Sequence, residues 1–318
     1  MEQRKLIKLG NSSFAIALPK DWIEKAGLKK GESIFVQQNS NGELIVSPSV
    51  SEQPNDKKIS INTENKNFEM LKREIRAAYI KGYTSFEIKG LKTKQDKENI
   101  KKILNNFLSF ELIDSNENEI IAKDFFSLEN TALTSFIRRI DNNIREIFEI
   151  VLEEIKKEKF SQAKLKNIEE IDEDINKFYF LCSRIFMRGI DNPSLLTKLK
   201  TNGIKLFNEW WFAFNLEALA DGLKYAMKLI AKQDSKKTRE KVYEILEKLH
   251  KAYFGCMDAF YKNDSSIALN ITESTTKIRD EIQALEKEDM KLCSLSSNLN
   301  YIQKQIYQNA KMVLYVKY

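Results

Sequence analysis

The chain has 318 residues, more than one hydrophobic core ordinarily supports, so two or three domains are expected, and its 42% hydrophobic content excludes disorder on a large scale. Charged residues reach 31%, which fits long solvated helices better than a β-sandwich, and a net charge of +6 points to nucleic acid only if a local patch exists. No apolar run approaches the about 20 residues needed to cross a bilayer.

The start, MEQRKLIKLG, lacks the apolar core of a secretory signal. Three scattered cysteines, Cys182, Cys256 and Cys293, suit a reducing cytosol and are expected to pack as small hydrophobes. The expectation is a soluble cytoplasmic protein without membrane insertion.

Three of the four prolines and six of the ten glycines precede residue 91, so helix breakers concentrate at the front. RKLIKL alternates as a half-buried strand, GNSS turns, FAIAL returns, and Pro19 suits the first turn of a short helix that Gly27 ends. SIFVQQ and ELIVSP, joined through Asn41 and Gly42, complete a ββαββ unit over residues 1–50. So small a unit can hardly bury a core alone, and two copies interleaving their strands is the natural solution.

Ser49 to Lys57, polar and holding Pro54, reads as a linker. Residues 56–128 follow the order βαβαββ, which predicts a small α/β layer covered on one face by two helices. From 129 to 318 the apolar spacing predicts six helices, near 130–158, 161–188, 203–232, 236–262, 264–289 and 291–316, which can form two three-helix bundles. The fold class expected is multidomain α+β.

On the second of these helices Glu170 and Asp174 lie four apart, and on the next Glu217 and Asp221 repeat the spacing. Packed side by side, such helices gather four carboxylates, which stay ionised together only around a cation. Spacing is met equally by a solvated edge, since 46 acids produce roughly six such pairs by chance. His250 is the only histidine and is expected to be an ordinary helix residue; no phosphate loop, nucleophile elbow or HExxH motif is present, and the chain is not expected to be an enzyme.

Arg4, Lys5, Lys8 and Lys20 stand against one acid in the first twenty residues, beside the polar turn Asn11, Ser12 and Ser13. Doubled in a dimer they straddle DNA phosphates; the plainer reading is solubility of a small strand pair.

The segment RKLIKLGNSSFAIALPKDWIEKAGLKKGESIFVQQNSNGELIVSP resembles the SpoVT/AbrB swapped-hairpin domain in its MazE-like variant. That resemblance implies an intertwined homodimeric β-barrel binding DNA through Arg4, Lys5, Lys8, Asn11 and Lys20. The helical region resembles PhoU, a phosphate-uptake regulator of two three-helix repeats, and the whole order looks like the archaeal AbrB-PhoU fusion regulators.

This implies metal ligation by Glu170, Asp174, Glu217 and Asp221, with iron, zinc, magnesium or manganese as the ion. The second repeat departs from the pattern, placing Thr276 with Asp280 and Asn300 with Lys304, which cannot form an acidic cluster. The function expected is a phosphate-uptake transcriptional regulator with DNA and a second copy as partners. The alternative is an adaptor that contacts a phosphate ABC-transporter ATPase without specific DNA binding.

Overall fold

The computed structural model describes residues 3–38, 42–48, 57–116, 118–125, 132–157, 159–190, 192–288 and 292–317. The expected linker, apart from Lys57, lies outside the described residues. The chain divides into two compact units, Met1–Pro54 and Asn55–Tyr318.

In the first unit β1 (Ile7–Leu9) pairs antiparallel with β2 (Ser13–Ala15), setting Ile7 opposite Ala15 and Leu9 opposite Ser13. Gly10 supplies the positive φ of +66 that this tight turn requires. Pro19 is the N-cap of α1 (Lys20–Lys25), one position earlier than the first helical turn, and its carbonyl accepts the first helical bond from Ile23. The second hairpin joins β3 (Phe35–Gln38) to β4 (Leu44–Ser47).

The two hairpins remain separate two-stranded sheets within one chain, so the barrel expected is not closed by a single copy. No residue in the described part of this unit is buried. Leu9, Phe14 and Leu44 are 58%, 66% and 68% exposed, on hairpins that are marginal when isolated.

The second unit begins with a four-stranded sheet. Its elements are β5 (Lys58–Asn62), α2 (Phe68–Ile80), β6 (Ser85–Lys89), α3 (Lys94–Leu104), β7 (Phe110–Ser115) and β8 (Glu119–Asp124). The strand order is β5-β6-β8-β7; β5 and β6 run parallel and the other pairs antiparallel. Register aligns Ile61, Ile88 and Ile120 on one face, which packs with Ile75 and Tyr79 of α2 and Ile100 and Ile103 of α3.

Alternate residues put the ion-paired Glu87, Lys89 and Glu119 on the other face. Asn67 caps α2 by accepting from the Met70 amide, and Thr93 with Asp96 forms a capping box on α3.

Six long helices follow, as the periodicity predicts: α4 (Leu133–Glu154), α5 (Gln162–Gly189), α7 (Gly203–Ile230), α8 (Lys236–Lys262), α9 (Ser265–Glu288) and α10 (Cys293–Lys317). Between α5 and α7 stands a short α6 (Pro193–Lys198), capped by Asn192 with Pro193 in its first turn. Helices α4, α5 and α7 pack on one another, as do α8, α9 and α10, and α7 against α10 merges both sets into one core. Gly222 permits that approach, since a Cβ there would lie 2.8 Å from the Ile302 side chain.

Cys182 and Cys256 are buried as expected, but Cys293, at the start of α10, is exposed and does not pack as a core hydrophobe. His250 sits beside the Phe148 and Phe254 rings, and burial lowers its pKa.

The sheet layer is held to the helices by α5. Phe180 enters the sheet's core, and four residues on, Arg184 is 1% exposed. Its guanidinium donates to the carbonyls of Tyr79 and Tyr83 and to the Asp124 carboxylate, the last at 2.6 Å. Removing the cation takes a 2.6 Å ion pair from a carboxylate whose side chain is 3% exposed. Arg184→Ala is therefore expected to lower the unfolding free energy by about 3–5 kcal/mol, measured by urea denaturation followed by circular dichroism.

Candidate functional site

Two groups of residues are candidates for function, and they lie in different units. Arg4, Lys5, Lys8, Asn11 and Lys20 are all exposed in the first unit, Lys8 on β1 opposite Phe14, Asn11 in the β1–β2 turn and Lys20 at the start of α1. Lys20 pairs with Glu24 at 3.6 Å, but both side chains are solvated, so the pair contributes little and leaves the ammonium available to an anion.

The second group lies on the seam between α5 and α7. These helices run antiparallel: Trp210 donates to Ser183, Lys224 meets Asp172, and Lys228 meets Glu169. Glu170 points outward to Lys166 at 3.6 Å, and Asp174 outward to Lys177 at 2.7 Å. Of the four acids expected in one cluster, Glu217 and Asp221 of α7 border the seam, while Asp172 is the carboxylate α5 contributes to it.

Between the helices the Lys224 ammonium lies 2.6 Å from Asp172 Oδ2 and 2.6 Å from Asp221 Oδ1. A fixed cation thus neutralises two carboxylates where a metal ion was expected. Among the described residues no group of three or more His, Cys, Asp or Glu side chains is placed to hold a metal ion. With Lys224 in that place the arrangement does not fit iron, zinc, magnesium or manganese.

The electrostatics follow from burial. Burial raises the Asp172 pKa against the pull of Lys224, and its Oδ1 has no hydrogen-bond partner. Burial also works against the Lys224 charge, but hydrogen bonds to Asp172 and Asp221 outweigh it and raise the ammonium's pKa. Glu217 is pushed up to about 7, first by burial and then by the negative charge of Asp221 and Asp172, with Lys224 and Arg76 opposing.

Spacing alone missed Asp172 and Lys224. The signal for Asp172 was present: Ile168, Ile171 and Ile175 mark the buried face of α5, and residue 172 falls on that face while 170 and 174 fall off it. Lys224, three residues after Asp221, was the matching cation.

Because the folded chain holds Glu217 protonated more readily than the unfolded chain does, stability from this group is complete below the ordinary carboxylate range and is lost as pH rises to about 7. Glu217→Gln removes that loss. The variant should gain on the order of 3 kcal/mol over the unchanged protein between pH 4 and pH 8, read from urea midpoints at the two pH values. A gain independent of pH would contradict the assignment.

No helix among the described residues is long and apolar enough to cross a membrane. No curated protein and no solved structure matches the chain. Residues 7–54 match the family model described as antidote-toxin recognition MazE, bacterial antitoxin. The front of the chain is a MazE/AbrB-like domain, followed by a mixed sheet layer and a helical region.

Proposed function

We propose that this chain is a homodimeric DNA-binding regulator of phosphate uptake. One observation supports the reading: among the described residues of the first unit, most of which matches the MazE model, none is buried, yet the unit carries large apolar side chains and five exposed groups suited to phosphates. A second copy supplies the missing core, and dimerisation doubles Arg4, Lys5, Lys8, Asn11 and Lys20 into a two-fold basic surface.

The PhoU-like reading of the helical region is supported by six long helices packing as two sets of three. The ammonium between Asp172 and Asp221 favours a partner protein over a metal ion as the source of the phosphate signal. A change on the helices alters the spacing of the paired N-terminal units and so their affinity for DNA.

The test is fluorescence anisotropy of the full chain on duplexes from its own phosphate-transporter promoter and on scrambled duplexes, across a salt series. Promoter preference is expected, and Lys8→Ala and Lys20→Ala should each reduce the salt slope by about 2 for the dimer, one phosphate contact per copy. Equal, weak binding to both duplexes, unchanged by the substitutions, would instead favour the adaptor for a phosphate ABC-transporter ATPase. Sedimentation of the full chain as a monomer would remove the dimer.

A further inference from the structure

Where α4, α7, α8 and α10 meet, the fold leaves a cavity of about 490 Å³ that the DNA-binding reading does not use. That volume lies within the roughly 300–1,000 Å³ of small-molecule sites. One wall is apolar, built by Phe212, Phe260, Met312 and Val313, with the two phenyl rings stacked at 4.1 Å. The other wall is polar and carries Arg138 of α4 and Glu209 of α7.

Glu209 is 9% exposed, and burial raises its pKa. Its one partner among the described residues is the Lys205 ammonium at 3.9 Å, beyond hydrogen-bond distance and largely solvated. A largely buried carboxylate whose ion pair is this long is costly to keep, and a ligand that brings a donor to hydrogen-bond distance relieves the cost.

Arg138 is held over the Tyr261 ring at 4.6 Å. The ring in turn is fixed, because its hydroxyl donates to Asp141 at 3.0 Å, and Asp141 also accepts from Tyr253 at 2.7 Å and Arg145 at 2.8 Å. A guanidinium placed over an aromatic face keeps its edge donors for an anion, here on a preorganised wall.

From this juxtaposition we infer that the cavity binds a small apolar α-amino acid, its ammonium group on Glu209, its carboxylate on Arg138 and its side chain against Phe212, Phe260, Met312 and Val313. A carboxylic acid without the ammonium group leaves Glu209 without a donor and adds a second negative charge beside it. An amine without the carboxylate leaves Arg138 unused. The zwitterion satisfies both, and because the cavity is walled by helices of both three-helix sets, its occupancy biases how the sets pack.

Titration calorimetry on the full chain tests this with L-leucine, L-methionine and L-phenylalanine, beside isocaproate and isoamylamine, which lack one charged group of leucine each. At least one amino acid is expected to bind. The two truncated probes, and the variants Glu209→Gln and Arg138→Gln, should each bind about tenfold more weakly or worse, the scale of one charge-assisted hydrogen bond.

No heat with any of the three amino acids at millimolar concentration overturns the proposal. So does isocaproate binding as tightly as leucine, or both variants binding as the unchanged chain does. If Glu209→Gln fails to fold by circular dichroism, Arg138→Gln, at an exposed position, decides alone. DNA takes no part in the readout, so failure here leaves the regulator reading standing.

Discussion

The buried guanidinium of Arg184 is the constraint on which the second unit depends. It answers two backbone carbonyls at the end of α2 and one carboxylate at the end of β8, so a single side chain of α5 sets where the sheet layer sits on the helices. Desolvating an arginine is expensive, and hydrophobic residues can fill such a space at similar or better stability. What they lack is direction: several acceptors converging on one planar donor permit one docking geometry, reinforced by the Tyr79 ring 4.7 Å from the same guanidinium.

That docking reaches the acidic seam. With α2 seated on α5, Arg76 lies over the Phe180 ring at 4.4 Å and its charge is felt at Glu217. The Glu217 carboxyl group, pushed up to about 7, is therefore shaped by a residue of the sheet layer as well as by Asp172, Asp221 and Lys224. The sheet layer thus has an electrostatic effect on the helices beyond that of a spacer.

The first unit is built under the opposite condition. Its hairpins have strand residues, a glycine turn and a proline-set helix start, all correct locally, yet none of its described residues is buried. Local correctness does not supply a core when each sheet has two strands. Its stability must be found in association, which is also what brings charged groups from two chains onto one surface.

The sequence by itself determined the elements. Period-two runs with glycine turns marked the front hairpins, and apolar spacing marked six long helices, three of which start at a short polar cap, Ser161, Asn202 or Ser235, placed just before the periodic positions. The exposed basic residues of the first unit were legible for the same reason, because a strand in so small a unit has nowhere to hide them. The tertiary structure decided what faces what. Four-residue spacing could not tell Glu170 and Asp174, which turn to solvent, from Asp172, which turns to α7, since the rotation of a helix is set by the apolar neighbours it buries. Nor could it show Lys224 between Asp172 and Asp221, Arg184 fastening the sheet, or Glu209 and Arg138 lining one cavity, because each depends on elements separated by long stretches of chain and exists only once they pack.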